Sequence, residues 1–267
     1  MKKLLCFLIF CCALSYCQQT EINFISWNIQ DFGKTKDANE IEQIAKIVKD
    51  ADIIAIQEVV GGYGGPQAVA RFWDQLNRTG ASWDYAISNK TDSPKYMNER
   101  YAFLWKNKYI KIKNKGHLVE LDTVVYREPF QLDFYIKDKK ITILNYHARR
   151  HNLKPAEEIK EVLDYVKTHN KTPIILAGDF NEKSSAYVFH DFLINNEYAS
   201  AIQNKKTVLK RSCKGSEYKN HAIDNIFYSN KIELITAKVI DFVGFCDRLQ
   251  NARKLSDHLP VFMRFKI

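Results

Sequence analysis

Between positions 174 and 181 the chain reads Ile174-Ile175-Leu176-Ala177-Gly178-Asp179-Phe180-Asn181. The apolar run is continuous, which is typical of a strand whose two faces are both covered. Polar side chains that follow such a strand lie on the rim of a sheet, where they can converge without being buried unpaired. The stretch therefore predicts a buried sheet with a polar site at its edge.

Three other stretches have the same form. Residues 24–28 end in Asn28, residues 53–58 end in Glu58, and Asp257 and His258 stand directly before the apolar run that closes the chain. Together the four strand ends carry the side chains that metal-assisted attack of water on a phosphate requires. As an alternative, each polar residue could be only a turn or capping residue.

The first 17 residues have the pattern of a secretory signal peptide. Lys2 and Lys3 precede an apolar run over 4–14, and small residues Ser15 and Cys17 follow it. The run is shorter than the roughly 20 residues that span a bilayer. We expect cleavage after Cys17 and a secreted or periplasmic domain over 18–267. The alternative is a lipid anchor on Cys17, which bulky Tyr16 disfavours.

Two of the six cysteines would remain after that cleavage, Cys213 and Cys246. In an exported protein, two cysteines are most simply interpreted as one disulfide. Two unrelated buried thiols are the alternative.

The composition is that of a globular protein, with 46% hydrophobic and 27% charged residues. The formal net charge of +9 favours a polyanionic partner, above all nucleic acid. A general solubility charge would explain the same value.

No repeat, low-complexity tract or linker divides residues 18–267, so we predict one domain. Helical periodicity predicts helices over 38–49, 67–76, 155–168 and 185–195, and 61–66 is a glycine-rich loop. The predicted strands cover 22–29, 52–59, 83–88, 101–105, 109–113, 118–126, 130–137, 140–146, 172–177, 222–228, 232–240 and 259–265. Strands interspersed with helices predict an α/β four-layer sandwich of two mainly antiparallel sheets flanked by helices.

The polar residues divide by chemistry. Hard divalent cations prefer oxygen ligands, and Glu58, with Asn28 and Asp257, is the best ligand set. His258 is a candidate base that Asp224 would orient, because the ordinary pKa of histidine lies near neutral pH. His147, at the end of a strand, is a candidate acid, although a lone histidine has no necessary function.

Six short motifs occur in an order that resembles the endonuclease/exonuclease/phosphatase superfamily. They are Trp-Asn at 27–28, Gln-Glu at 57–58, Asn-Tyr-His at 145–147, Gly-Asp-Phe-Asn at 178–181, Ile-Asp at 223–224 and Ser-Asp-His at 256–258. Two further stretches, Glu-Arg-Tyr at 99–101 and Arg-Glu-Pro at 127–129, are similar to the deoxyribonuclease I branch. The resemblance spans almost all of residues 18–267.

This resemblance implies a role for each matching residue. Asn28 and Glu58 would bind Mg²⁺ (or Mn²⁺ or Ca²⁺), and Asp257 would complete or support the site. Glu99 would orient His147. Asp224 would orient His258, and Asp179 and Asn181 would polarise the water and hold the phosphate. Arg127 would neutralise phosphate charge, and Tyr96 would lie along the DNA backbone.

One position departs from the family pattern. The arginine that deoxyribonuclease I inserts into the minor groove is replaced by Val60, which cannot make that electrostatic contact. DNA binding would then be weaker or would use other cations. The candidates are the stretch Arg149-Arg150-His151 and Lys106, Lys108, Lys111 and Lys113, with a solvated strand face as the alternative for the lysines.

The sequence thus predicts a secreted, divalent-metal-dependent endonuclease that cleaves DNA to 5′-phosphate ends, with RNA as a further possible substrate. We expect a monomer without stable membrane insertion. Two alternatives stay open: a phosphodiesterase of the same fold that acts on a phospholipid headgroup, as sphingomyelinases do, and a non-catalytic binding or toxin subunit.

Overall fold

A computed structural model describes residues 20–94, 97–121, 124–195 and 197–267. The predicted signal peptide, Cys17 and Tyr96 lie outside the described residues. Within the described part, no helix combines the length and apolar character that crossing a membrane requires.

The first sheet has six strands. They are β1 (Ile22–Phe32), β2 (Ile53–Val60), β3 (Trp83–Ile87), β4 (Glu99–Lys106), β14 (Glu233–Val239) and β15 (Val261–Lys266). Their spatial order is β14-β15-β1-β2-β4-β3. Only β1 and β2 run parallel within this sheet. A helix joins them, as a parallel connection requires.

The second sheet has seven strands. They are β5 (Ile110–Ile112), β6 (His117–Leu118), β7 (Phe130–Ile136), β8 (Lys139–His147), β9 (Ile174–Asp179), β10 (Tyr198–Ser200) and β13 (Asp224–Ser229). Their order is β10-β13-β9-β8-β7-β5, with β6 also paired to β7. The pair β8–β9 is parallel. A separate hairpin is formed by β11 (Val208–Lys214) and β12 (Glu217–Asn220).

Five α-helices accompany the sheets in the described part of the chain: α1 (Ala38–Val48), α2 (Gly64–Asn77), α3 (Ala156–Thr168), α4 (His190–Leu193) and α5 (Leu249–Leu255). Short 3₁₀ turns occupy His151–Leu153, Tyr187–Phe189 and Cys246–Arg248. The start of α1 shows why the chain is helical there. The Asp37 side chain accepts from the Glu40 amide while Glu40 accepts from the Asp37 amide, so each satisfies a free backbone donor.

Alternation along the strands builds a layered core. Phe24 of β1 packs between the two sheets, whereas its neighbour Ile25 packs beneath α1 and α2. A third cluster lies between the second sheet and α3, where Leu176 and Val162 meet. The prediction of a four-layer α/β sandwich is confirmed, since two mixed sheets pack face to face with helices on their outer faces.

The predicted disulfide is also confirmed. Cys213 of β11 is bonded to Cys246, 33 residues later. The bond joins the hairpin to the turn before α5.

Several predicted elements differ from the structure. The strand predicted over 118–126 is wrong for the described residues beyond Leu118, none of which lies in a strand. The loop over 61–66 is shorter than predicted, because α2 begins at Gly64 and Pro66 is compatible with the first turn of a helix. Gly65 lies close to the end of β2, since a Cβ there would meet the Val60 carbonyl oxygen at 2.0 Å. The helix over 185–195 is reduced to one 3₁₀ turn and α4.

Candidate active site

The predicted site residues meet at one end of the two sheets. In the second sheet, His147 of β8 is opposite Asp179 of β9, and Asp179 is also opposite Asp224 of β13. Three ionisable side chains therefore stand in one row across neighbouring strands. The first sheet brings Asn28 and Glu58 to the same place, since both hydrogen-bond to a common network there.

His147 and Glu99 form the first histidine–carboxylate pair. The Nδ1 atom of His147 lies 3.0 Å from each carboxylate oxygen of Glu99, and both residues are buried. The His147 amide donates to the Tyr101 hydroxyl at 3.2 Å, which holds the backbone. Burial lowers the pKa of His147, but the charge and hydrogen bond of Glu99 together with the charge of Asp179 outweigh it and raise the pKa above its ordinary value.

His258 and Asp224 form the second pair. The Nδ1 atom of His258 lies 3.0 and 2.9 Å from the two Asp224 oxygens. Burial lowers the pKa of His258, yet the charges of Asp224 and Asp179 outweigh burial and raise the pKa well above its ordinary value. The ring is further fixed through its backbone, because the His258 carbonyl accepts from Trp27 Nε1 at 2.9 Å.

Asp179 lies between the two pairs. Its Oδ2 atom is 3.5 Å from His147 Nε2 and 3.7 Å from His258 Nε2, and it accepts from Asn28 Nδ2 at 3.1 Å. Burial raises the pKa of Asp179, and the charge of Asp224 adds to that shift against the opposing effect of His258 and His147. The free nitrogens of both imidazoles therefore face one carboxylate oxygen.

Two residues predicted to contact substrate share one anchor. Asn181 Nδ2 donates to the Ala148 carbonyl at 3.0 Å, and Arg127 Nη1 donates to the same oxygen at 3.1 Å. Arg127 is buried and its Nε lies 3.2 Å from Glu99, so its charge stabilises the Glu99 carboxylate. Both side chains line the pocket above Asp179, whose volume is about 590 Å³.

The side-chain oxygens of Asn28 and Glu58 are the candidate ligands of a cation. Asn28 Nδ2 donates to Glu58 Oε1 at 2.9 Å, while the buried Asn28 Oδ1 has no hydrogen-bond partner among the described residues. An orphaned buried oxygen beside a carboxylate fits a hard divalent cation. Burial raises the pKa of Glu58, but the charge of His147 and the Asn28 hydrogen bond reverse this and lower it.

The backbone at Glu58 is unusual for a strand. Glu58 has φ of +59°, where the register of β2 against β4 shifts. A left-handed non-glycine residue costs about 1–2 kcal/mol, and such strain concentrates at functional sites. The bulge turns the Glu58 side chain toward Asn28.

Asp257 lines the same pocket, and its carboxylate lies 3.9 Å from Arg253. Another group of potential ligand atoms, from Asp179, Asp224 and His258, lies within 4.8 Å of one another. Asp224 Oδ2 in that group already accepts from Thr207 Oγ1 and His258 Nδ1. Asp224 Oδ2 is therefore already engaged with protein groups.

The structure separates the cations that were predicted to bind DNA. Arg150 lines the pocket, as Val60 does. Arg149, in contrast, is buried and donates to the Lys154 carbonyl at 2.7 Å. The lysine series begins at the opposite end of β4 from Glu99, about 24 Å away along an extended strand. Most of that series is engaged locally: Lys106 pairs with Asp52, Lys111 donates to the Asn107 carbonyl, and Lys113 lies over Tyr135.

Three supporting residues were missed by sequence reasoning: Thr207, Trp27 and Tyr101. Thr207 is buried, and its hydroxyl donates to Asp224 Oδ2 at 2.5 Å. Trp27 and Tyr101 stand inside motifs that were recognised for their neighbours. Thr207 has no local signal, because its position next to Asp224 arises only when β11 pairs with the segment around His258.

Comparison with known proteins agrees with this geometry. A model of the Endonuclease/Exonuclease/phosphatase family matches residues 25–258. Deoxyribonuclease gamma of Homo sapiens is 31% identical over 170 residues, which cover 58% of this chain and 55% of that protein. Its counterpart from Mus musculus is 29% identical over 261 residues, 90% of this chain and 83% of the relative. The alignment thus spans about half of the human relative.

A solved structure gives the same fold. The endonuclease/exonuclease/phosphatase family protein from Bacteroides thetaiotaomicron superimposes with a TM-score of 0.65 at 18% identity, over 93% of this chain and 98% of that one. The family match, together with relatives named deoxyribonuclease, indicates a hydrolase that acts on phosphodiester bonds. The chain belongs to the endonuclease/exonuclease/phosphatase family, and within it to the deoxyribonuclease I-like branch.

Proposed function

We propose that this protein is a secreted, divalent-metal-dependent endonuclease that hydrolyses DNA to fragments with 5′-phosphate ends. The observation that carries the proposal is the placement of two carboxylate-bound imidazoles whose Nε2 atoms face the same oxygen of Asp179, at 3.5 and 3.7 Å. One proton acceptor and one proton donor on either side of a phosphate are what hydrolysis of a phosphodiester needs.

In this mechanism His258 removes a proton from water through Nε2, while Asp224 stabilises the imidazolium through Nδ1. The water oxygen forms a bond to phosphorus as the bond from phosphorus to the 3′ oxygen breaks. His147 gives its Nε2 proton to that leaving oxygen, and Glu99 holds the ring in place. The phosphate stays on the 5′ end of the product, and proton exchange with solvent restores both histidines.

Charge at the phosphate is balanced by residues around the pocket. Asn181 and Arg127, both anchored on Ala148, supply an amide donor and a positive charge. Asn28, Glu58 and Asp257 would hold the cation. A bound divalent cation supplies a Lewis acid that stabilises the negative charge which develops at phosphorus.

Several observations support DNA as substrate and export as location. The relatives at 29–31% identity are named deoxyribonuclease gamma, and this chain has a formal charge of +9. A disulfide is typical of an oxidising compartment and is consistent with a signal peptide over 1–17.

The direct test uses purified protein with supercoiled plasmid, single-stranded DNA and RNA, with and without EDTA. We expect plasmid nicking that EDTA abolishes. End-group analysis of the products should find 5′-phosphate and 3′-hydroxyl termini. Cleavage that persists in EDTA, or 3′-phosphate ends, would contradict the mechanism. Release of phosphocholine from sphingomyelin without nicking would favour the phospholipid alternative.

The Glu58→Gln variant tests the cation site. We expect it to need a higher concentration of Mg²⁺ for half-maximal nicking, because a neutral amide replaces the carboxylate ligand. Cation binding also stabilises the native state by about 2.7 kcal/mol when the ligand is at 100 times its Kd. Thermal unfolding of the wild type should therefore shift upward with Mg²⁺ while that of the variant does not. An equal shift in both proteins would remove Glu58 from the site.

Thr207→Val tests the support of Asp224. Valine keeps the shape but lacks the hydroxyl, so we expect the nicking rate to fall about 10-fold, the equivalent of one hydrogen bond of about 1.4 kcal/mol in the transition state. Thr207→Ser retains the hydroxyl and serves as the control with near wild-type rate. Equal rates in both variants would show that this hydrogen bond has no effect on catalysis.

A further inference from the structure

The β11–β12 hairpin carries a concentration of positive charge outside the two large sheets. Residues 205–219, called the cationic hairpin below, contain six Lys or Arg residues and one acid, Glu217. Lys206 pairs with Glu217 and Lys219 pairs with Asp241, each at 3.1 Å. The other four make no ion pair with any residue that the structure describes: Lys205, Lys210, Arg211 and Lys214.

The base of the cationic hairpin contacts residues of the active site directly. Val208 forms a β-bridge with His258, and the Leu209 amide donates to the Asp257 carbonyl at 2.7 Å. Thr207, which immediately precedes β11, donates to Asp224. An extended strand advances about 3.3 Å per residue, so Lys210 lies about 10 Å and Lys214 about 23 Å along the strand from Thr207.

Covalent and polar contacts hold the cationic hairpin in position. The Cys213–Cys246 disulfide attaches it to the turn before α5. From α5 itself, Gln250 Nε2 donates to the Arg211 carbonyl and Arg253 Nη1 donates to the Leu209 carbonyl, both at 2.8 Å. Because these contacts fix the strand before any ligand arrives, binding through its side chains costs little ordering entropy.

We propose that the cationic hairpin binds the sugar–phosphate backbone of the DNA strand in the active site, several nucleotides from the bond that is cut. The inference rests on the proposed function, because it takes DNA as the substrate. Between about 10 and 23 Å from Thr207, the three cations Lys210, Arg211 and Lys214 cover a span of about four nucleotides at 3.4 Å per nucleotide. Lysine and arginine bind phosphate without reading sequence.

This surface also accounts for the valine at position 60. Val60 borders the pocket but cannot attract the minor groove of DNA. The lysines on β4 and β5 are at the opposite end of the sheets, and most are engaged with protein groups. The cationic hairpin lies next to the His258–Asp224 pair instead. Its positive charge therefore raises the affinity for DNA on the side of the molecule where the phosphodiester is cut.

The test compares two triple variants with the same loss of charge. One replaces the hairpin cations (Lys210→Gln, Arg211→Gln, Lys214→Gln), and the other replaces three exposed lysines at the far end of the sheets (Lys108→Gln, Lys111→Gln, Lys139→Gln). We expect KM for a long duplex to rise 10-fold or more in the hairpin variant. The slope of log KM against log salt should fall by about 0.9 for each phosphate that the hairpin no longer binds, up to about 2.7. The far-end variant should keep the wild-type KM and slope.

A dinucleotide with a p-nitrophenyl phosphodiester reaches the pocket but not the cationic hairpin, so it reports the pocket alone. The proposal requires that the loss be confined to the long substrate. An equal change in both triple variants, or a loss on the dinucleotide as large as that on the duplex, would overturn it.

Failure of the proposed function would be recognised separately. If the wild type cuts no DNA, binding of a fluorescent duplex in EDTA still measures the cationic hairpin. Weaker binding by the hairpin variant than by the far-end variant would then support the surface, and equal binding would overturn it.

Discussion

His258→Ala and His147→Ala are each expected to lower the rate of plasmid nicking by about 10²–10⁴-fold, the usual contribution of a positioned acid or base. Each removes the only imidazole of its pair, and Glu99 or Asp224 has no ring left to orient. The measurement is the initial rate of supercoiled plasmid conversion at fixed Mg²⁺. Circular dichroism on the same samples should show that both variants are folded.

His190→Ala is the matched control, because His190 is an exposed histidine on α4 that does not line the pocket. It should nick DNA at the wild-type rate. Near-normal activity in either pocket variant would contradict the assignment of the two acid–base pairs.

A substrate with p-nitrophenolate as leaving group separates the two roles. That anion leaves without being protonated, so an enzyme without its acid loses less on this substrate than on DNA. We therefore expect His147→Ala to recover a substantial part of its activity and His258→Ala to recover none. The opposite result would exchange the roles of acid and base.

Gly178→Ala is expected to lower the free energy of unfolding by about 3 kcal/mol or more, from backbone strain together with overpacking. Gly178 has φ of +149°, and a Cβ atom there would lie 1.7 Å from the Tyr146 carbonyl oxygen. Strands β8 and β9 would have to separate, which would also move His147 away from Asp179. Urea unfolding followed by tryptophan fluorescence measures the decrease in stability.

Gly62→Ala provides the comparison, because a Cβ at Gly62 meets nothing within 4 Å. Its midpoint should equal or slightly exceed that of the wild type, because alanine lowers the conformational entropy of the unfolded chain. If the free energy of unfolding of Gly178→Ala lay within about 1 kcal/mol of that of Gly62→Ala, the close approach of β8 and β9 at Gly178 would be wrong. Both variants restrict the unfolded chain equally, so the comparison isolates the native-state effect from the change in chain entropy.

The polar ends of the buried strands were predictable because their signals are local. An apolar run followed by Gly178 and Asp179 identifies a covered strand and the side chain at its rim. Once the family resemblance assigns partners, the pairs Glu99–His147 and Asp224–His258 follow, and the structure brings both pairs within hydrogen-bond distance. The role of each residue in the reaction stays a prediction until the variants are measured.

Elements without a strong local signal were not found. Polar residues occupy both faces of β11 in the cationic hairpin, so the hydrophobic periodicity of the sequence does not distinguish a strand from a loop. Helix α5 has only seven residues, too few for a helical period to be recognised. The strand predicted over 118–126 failed for the opposite reason, because β-branched residues there favour a strand that the neighbouring chain does not pair.

The sequence by itself determined which strands are buried and which polar residues stand at their ends, and it favoured a disulfide between Cys213 and Cys246 that the structure then confirmed, since these signals are short-range patterns or composition. Only the tertiary structure decided that His147, Asp179 and Asp224 share one row, that Thr207 supports Asp224, and that the hairpin with Lys210, Arg211 and Lys214 starts beside His258. Those facts depend on strand order and register, which are set by packing between residues far apart in the chain, such as Trp27 and His258 at a separation of 231 positions. No local window of sequence contains that information.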